Sequence, residues 1–164
     1  MKDSTIGHGS EKTVRTAVFP GSFNPFTAGH ADRVERGLTL FDRIFIAIGI
    51  NSAKPGAEAD AAARADTIRS LYPTEPRIEV AVYDTLTVDF ARKCGAGFIL
   101  RGIRSMKDFE YERDLATVNT QLSDIETVVL FSRPELSALS SSVVRELASY
   151  GVDITPFLPH PAKQ

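Results

Sequence analysis

The sequence contains few of the residues on which disulfide bridges and metal centres depend. Its 164 residues include one cysteine, Cys94, together with three histidines and no tryptophan. A single cysteine excludes an internal disulfide and a metal site built from several cysteines, and it is typical of proteins in a reducing compartment. We therefore expect a cytoplasmic protein.

The sequence also lacks long apolar runs and a strong excess of charge of either sign. No run approaches the roughly 20 apolar residues that a membrane-spanning helix needs, so we expect no association with a membrane. Lysine and arginine total 19 against 21 aspartate and glutamate residues, which gives a net charge of −2. Because this overall charge does not favour nucleic acid as a partner, any phosphate must be bound by local groups of residues.

The length and the apolar content indicate one domain. With 43% hydrophobic residues, the chain can build one substantial core, which we expect over residues 13–159. Residues 1–12 are polar and lack the apolar centre of a secretory signal, so we expect a disordered extension there. Residues 160–164 are expected to fray.

Strand-length and helix-length segments alternate along the chain. Apolar runs predict buried strands over Val14–Phe19, Ile44–Ile48, Ile78–Val82, Phe98–Leu100 and Thr127–Phe131. Helical spacing predicts helices over residues 29–40, 58–71, 85–94, 108–122 and 141–149. This alternation predicts an α/β fold, a doubly wound parallel sheet of five strands with helices on both faces.

Unusual polar residues follow the predicted strands. The first strand leads to Ser22 and His30, the second to Lys54, and the fourth to Arg101 and Arg104. The serines at 140–142 come after the fifth strand. Ligands of such sheets bind at the carboxyl ends of the strands, so we expect these residues to lie along one edge.

Gly29 and His30 stand at the start of the first predicted helix, after a turn rich in glycine, proline and asparagine. A helix N-terminus offers free N–H groups to phosphate, and an imidazole there can donate a further hydrogen bond. Neither of the common glycine-rich phosphate loops is present after the first strand. The alternative is that the histidine caps its own helix.

Arg101 and Arg104 place two guanidinium groups three residues apart, as a clamp on separate phosphates requires. The alternative is a pair of surface ion pairs with Asp108, Glu110 or Glu112. Two arginines that emerge directly from a buried strand favour the clamp.

The serines at 140–142 can hold phosphate or cap the following helix, and both roles are compatible. No motif places a base beside them, so covalent catalysis is a poor interpretation.

Lys54, taken by itself, is more typical of an ordinary surface residue than of a binding site. The acids Glu58, Asp60 and Asp66 are too scattered for a metal cage, so we expect no metal site on the protein and a divalent ion carried by substrate phosphates.

Four segments together resemble the bacterial phosphopantetheine adenylyltransferases, a family of the nucleotidylyltransferase superfamily. The resemblance extends from about Thr16 to Pro159 and implies a Rossmann-like nucleotidyltransferase fold. The segments shared with the superfamily are Pro20–His30 and Leu139–Arg145, and those specific to the family are Ile99–Arg104 and Asp108–Glu112.

The resemblance implies transfer of the adenylyl group of ATP to 4′-phosphopantetheine, with Mg²⁺ and with release of pyrophosphate. It also implies in-line attack without a covalent enzyme intermediate, a homohexamer and feedback binding of coenzyme A. His30 would be catalytic. Residues implied to bind ATP are Ser22, Phe23, His30, Gly102, Ile103, Arg104, Glu112, Leu136, Ser137, Ala138, Leu139, Ser140, Ser141 and Ser142. Residues implied to bind phosphopantetheine are Ser22, Lys54, Thr87 and Arg101.

The sequence departs from the family pattern in two places. Many relatives have threonine at the position of Ser22 and aspartate at that of Asn24, and the segment Gly56–Arg64 lacks the family's usual aromatic residue and paired acids.

Two alternative functions stay open. One is a nucleotidylyltransferase that acts on nicotinamide mononucleotide or a polyol phosphate. The other is a nucleotide-binding regulator without turnover.

Overall fold

The computed structural model describes residues 13–50 and 52–160. The extension expected over residues 1–12 and all but the first residue of the expected tail lie outside the described residues. Within the described ranges, no helix combines the length and the apolar character needed to cross a lipid bilayer.

In the described residues, five strands and five α-helices alternate as the sequence predicts. The strands are β1 (Thr16–Gly21), β2 (Arg43–Gly49), β3 (Ile78–Tyr83), β4 (Phe98–Ile103) and β5 (Glu126–Phe131). The helices are α1 (Ala28–Gly37), α2 (Ala57–Leu71), α3 (Thr87–Lys93), α4 (Met106–Leu122) and α5 (Ser141–Ser149), with short 3₁₀ turns at Pro134–Leu136 and Thr155–Phe157. The α/β prediction is confirmed.

The strands form one parallel sheet in the order β3-β2-β1-β4-β5. The chain builds outward from β1 to β3 and then crosses to β4 on the other side of β1. The strand order therefore reverses between β1 and β4. In doubly wound sheets this reversal opens a crevice at the carboxyl ends of the two strands, where ligands bind.

Helices cover both faces of the central strands. On one face Ile44 and Ile46 pack in the same cluster as Val34 of α1 and Ile68 of α2. Because both faces are buried, the central strands have continuous apolar runs instead of an alternating pattern.

The opposite face is covered by α3. Val18, Phe45 and Ile99 of the sheet pack with Val88 and Phe90 of that helix. The two clusters fix the position of β1 and β4, and hence the position of the crevice between their ends.

Two element boundaries differ from the prediction in ways that affect the site. β4 continues past Leu100 to Ile103, because Gly102 and Ile103 pair with Leu130 and Phe131 of β5. Arg101 and Gly102 therefore lie within a strand and not on a loop. Helix α4 begins at Met106 and not at residue 108, with the Ser105 hydroxyl accepting from the Asp108 backbone N–H at 3.2 Å.

Candidate active site

A cleft of about 310 Å³ opens where the strand order reverses, at the carboxyl ends of β1 and β4. We call it the main cleft. The predicted site residues that line it are Ser22, Phe23, His30, Arg101, Gly102, Arg104, Glu112, Leu139, Ser140, Ser141 and Ser142. It is also lined by Phe19, Pro20, Gly21, Arg33, Asp108 and Arg145, which were not among the predicted site residues.

His30 caps its own helix, as the alternative interpretation proposed. The backbone N–H of Thr27 donates to Nδ1 of His30 at 2.9 Å, and the Thr27 hydroxyl lies 3.0 Å from the same nitrogen. Histidine thus takes the place that glutamate or glutamine has in a capping box. Since Nδ1 accepts, the proton of the neutral ring is on Nε2. His30 also lines the main cleft, so capping leaves Nε2–H for a ligand.

Three phenylalanine rings surround the imidazole. The ring centroids of Phe23, Phe26 and Phe19 lie 5.1, 5.4 and 6.2 Å from that of His30. Desolvation, together with the charges of Arg33 and Arg104, lowers the pKa of His30 from 6.5 to about 3. At neutral pH the ring is therefore an uncharged hydrogen-bond donor.

Arg101 forms a bidentate ion pair with Glu112. Its Nε and Nη2 atoms lie 2.7 and 2.6 Å from the two carboxylate oxygens, and Nη1 donates to the carbonyl of Pro20 at 3.1 Å. Glu112 is buried. Arg101 thus forms an ion pair, as the alternative interpretation proposed, although both side chains also line the cleft.

Arg104 is held more loosely. Its Nε and its backbone N–H both donate to one oxygen of Asp108 at 3.1 Å, and Nη1 lies 3.5 Å from the carbonyl of Leu139. Both side chains are about one-third exposed. Exposed ion pairs contribute little energy, so a phosphate can compete for this guanidinium at small cost.

The N-terminus of α5 contributes the second helix start at the cleft. Ser140 caps the helix by accepting from the Val143 N–H at 3.1 Å, and the Ser141 hydroxyl donates to the carbonyl of Pro25 at 2.8 Å. The serines therefore cap the helix and join it to the loop before α1. Arg145 donates to the Ser142 hydroxyl at 3.2 Å.

Arg33 is a buried cation that was not among the predicted site residues. It is 6% exposed and donates from Nη1 to the Gly29 carbonyl at 2.9 Å and from Nη2 to the Ser132 hydroxyl at 2.5 Å. A Cβ added at Gly102 would lie 1.8 Å from its Nε. The signal that could have revealed it is Gly102 itself, because glycine inside a strand marks the close approach of another group.

A second cavity of about 180 Å³, the side cavity, adjoins the main cleft. Pro20, Arg101 and Glu112 line both. The side cavity also contains Thr87, whose hydroxyl lies 2.9 Å from that of Tyr83. Its apolar lining includes Leu86, Val88, Ile99, Leu115 and Leu122.

Some predicted site residues line neither the main cleft nor the side cavity. Lys54 lies exposed in the loop between β2 and α2. The others are Ile103, Leu136, Ser137 and Ala138.

No group of three histidine, cysteine, aspartate or glutamate residues that could hold a metal ion occurs in residues 13–50 and 52–160. The two acids of the main cleft, Asp108 and Glu112, both bind arginines.

Comparison with known proteins identifies close relatives. A family model described as cytidylyltransferase-like matches residues 18–147. A phosphopantetheine adenylyltransferase of Bacteroides thetaiotaomicron is 51% identical over 146 residues, 89% of this chain and 96% of that protein. One of Porphyromonas gingivalis is 52% identical over 143 residues, 87% of this chain and 93% of that protein.

Among solved structures, a bifunctional NMN adenylyltransferase/ADP ribose pyrophosphatase of Francisella tularensis has a TM-score of 0.65. The sequence identity is 15%, and the match covers 88% of this chain and 45% of that one. A likeness at this identity shows a common fold and carries no argument about the substrate.

Proposed function

Because the chain belongs to the cytidylyltransferase-like family and, within it, to the phosphopantetheine adenylyltransferases, we propose that it transfers the adenylyl group of ATP to 4′-phosphopantetheine. The products are dephospho-coenzyme A and pyrophosphate, in the synthesis of coenzyme A. The observation that carries the proposal is the main cleft, where a neutral imidazole, two helix N-termini and several arginines meet at the reversal of the strand order.

The reaction needs positioning and charge stabilisation more than proton transfer. The acceptor phosphate is already an anion, so it attacks the α-phosphorus in line, the bond to the pyrophosphate oxygen breaks, and no enzyme-bound intermediate forms. His30 donates from Nε2–H to the α-phosphate as negative charge develops on its oxygens. A neutral donor suits this role because it keeps its proton throughout.

We assign the ATP phosphates to the N-termini of α1 and α5. Helix N-termini present free N–H groups and the positive end of the dipole to an anion. Arg104, held by one exposed acid, supplies a cation that can turn from Asp108 to a phosphate. Ser22 and the serines at 140–142 would also bind ATP, because all of them line the main cleft.

We assign the acceptor to the side cavity and to the wall that it shares with the main cleft. Arg101 lies on that wall and would bind the acceptor phosphate, while Thr87 and the apolar lining would contact the pantetheine arm. The Arg101–Glu112 pair holds the guanidinium in place before substrate arrives. Lys54 would reach the same phosphate from its exposed loop.

Magnesium fits this site as a companion of ATP. The described acids form no metal cage, and those of the cleft are paired with arginines, so the triphosphate itself would hold the ion. When bound, the ion would neutralise charge on the phosphates.

We further propose a cytoplasmic homohexamer that binds coenzyme A as a feedback ligand. Exposed apolar side chains of α4 and of the end of β5 support contacts between copies of the chain, because Met106, Tyr111 and Phe131 are 74%, 62% and 67% exposed. The single cysteine supports a reducing compartment.

Pyrophosphate release tests the function directly. ATP and CTP are each assayed with phosphopantetheine, nicotinamide mononucleotide and glycerol phosphate. We expect release with ATP and phosphopantetheine to exceed every other combination by about a hundredfold or more, and to stop in excess chelator. Comparable release with nicotinamide mononucleotide or glycerol phosphate would favour another nucleotidylyltransferase. Binding without release in any combination would favour a regulator.

A further inference from the structure

Arg33 is buried on the wall of the main cleft, where the charges of Asp32 and Asp108 only partly compensate its own. It forms no ion pair with any residue in the described part of the chain, whereas Arg101 and Arg104 each bind a carboxylate. Its Nε has no hydrogen-bond partner among the described residues. Burial of a guanidinium that has no ion pair and one unpaired N–H is costly, so a ligand that covers it can offset that cost.

The contacts of Arg33 fix the plane of its guanidinium group. Nη1 donates to Gly29 at the start of α1, and Nη2 donates to Ser132 just after β5. Nε lies against the backbone of β4 at Gly102, so closely that no other residue fits there. With these edge atoms bound to or packed on the protein, the group can offer a ligand its planar face.

The proposed function assigns the phosphates of ATP to other residues of the cleft. His30 and the serines at 140–142 stand at the two helix N-termini, and the acceptor side is marked by Arg101 on the wall shared with the side cavity. Arg33, Gly102 and Leu139 also line the cleft and are left without an assigned phosphate. Guanidinium groups stack readily on aromatic faces, and a nucleobase is the aromatic part of the nucleotide.

We propose that Arg33 forms the floor of the base subsite, where its guanidinium plane stacks on the adenine ring and favours purine over pyrimidine nucleotides. This inference rests on the proposed function, since it takes ATP as the nucleotide. A purine overlaps the guanidinium plane over a larger area than a pyrimidine does, so Arg33 contributes to selection of ATP over CTP.

Two substitutions separate stacking from charge. R33K keeps the charge and loses the plane, and R33M loses both while keeping an unbranched stem. The matched controls are R36K and R36M, because Arg36 lies on the same helix, pairs with Asp32 and does not line the main cleft. Calorimetry measures the affinity of each variant for ATP, CTP and inorganic tripolyphosphate in the presence of Mg²⁺.

We expect both Arg33 variants to bind ATP about tenfold more weakly, to bind tripolyphosphate as the wild type does, and to lose part of the preference for ATP over CTP. The Arg36 variants are expected to match the wild type. Unchanged ATP affinity in R33K and R33M would overturn the inference. So would weaker tripolyphosphate binding in R33M that R33K restores, because that result makes Arg33 a phosphate ligand.

Thermal unfolding shows whether each variant folds. If R33M does not fold, the affinities of R33K for ATP and for tripolyphosphate test the inference without it. Wild-type protein that fails to bind ATP would overturn the proposed function and this inference together. Wild-type protein that binds ATP and turns over, with Arg33 variants that bind it equally well, would overturn only the role of Arg33.

Discussion

The main cleft and the side cavity share a wall but differ in chemistry. The main cleft holds four arginines, at positions 33, 101, 104 and 145, beside an uncharged imidazole. The side cavity is lined mostly by aliphatic side chains of α3, β4 and α4. Under the proposed function, charge is therefore concentrated where the phosphates react, and shape and apolar contact select the acceptor.

The two ion pairs of the main cleft differ in how tightly they hold their arginines. Arg101 and Glu112 form a buried bidentate pair, whereas Arg104 and Asp108 form a looser and more exposed one. Separating the partners of a buried ion pair leaves an uncompensated charge, which costs free energy. We therefore expect this pair to keep its geometry. The exposed pair can exchange its carboxylate for a phosphate. The difference predicts a rigid acceptor side and a more adaptable ATP side.

The largest expected effect comes from His30, which belongs to the main cleft alone. H30A removes the donor to the developing charge on the α-phosphate, and we expect kcat to fall by about a hundredfold to a thousandfold. ATP affinity should change little, because the interaction strengthens only in the transition state. Steady-state pyrophosphate release and ATP calorimetry measure the two quantities.

The matched control is H160A, since His160 lies exposed near the C-terminus. It is expected to match the wild type. Turnover of H30A within about threefold of the wild type would contradict the assigned role, whatever its stability.

The next effect tests whether the two regions bind separate ligands. R104A should weaken ATP binding, and K54A should weaken phosphopantetheine binding, each by about 1.5 to 3 kcal/mol for a lost charge-assisted hydrogen bond. That energy corresponds to roughly tenfold or more in affinity. Calorimetric titration of each variant with each ligand gives four affinities.

K93A is the control for an exposed lysine, since Lys93 lies at the end of α3 and lines neither the main cleft nor the side cavity. Loss of ATP affinity in K54A and R104A alike, with phosphopantetheine affinity unchanged, would show that the acceptor site is misplaced. Lys54 makes this a demanding test, because it lines neither the main cleft nor the side cavity.

Much of the fold and part of the site could be predicted from the sequence. Buried parallel strands such as β2 are continuous apolar runs, and their alternation with helices dictates parallel pairing. Pairing also brings the strand ends together, which is why His30, Arg101 and Ser140 were predicted at one edge. The pattern could not predict that β4 continues through Gly102, because that depends on pairing with β5.

Arg33 could not be predicted, for a physical reason. An arginine beside Val34 on a helix is typical of a solvated surface, and a sequence does not show which part of the helix faces a cleft. Its burial depends on the missing side chain of Gly102, 69 positions later in the chain. Such a contact between distant residues becomes visible only when α1 and β4 are placed side by side.

The smallest expected effect, taken per pH unit, is a pH dependence of stability that originates in the main cleft. Desolvation and the neighbouring arginines lower the pKa of His30 from 6.5 to about 3 in the folded protein. Below pH 6.5 the unfolded chain therefore binds a proton that the folded protein does not. Since stability falls as pH falls wherever the unfolded state binds more protons, the folded protein loses at most about 1.4 kcal/mol for each pH unit in this range.

H30Q isolates this contribution from the titration of carboxylates. Glutamine does not titrate and is a natural capping-box residue, so it can still accept from Thr27. We expect urea unfolding between about pH 7.5 and about pH 4.5 to show the wild type losing stability more steeply than H30Q below pH 6.5, with parallel curves above it. Parallel curves over the whole range would mean that the pKa of His30 in the folded protein stays near 6.5, which would contradict the lowered pKa. The side cavity contains no histidine, so a substitution there, such as L115A, should shift the curve without changing its slope.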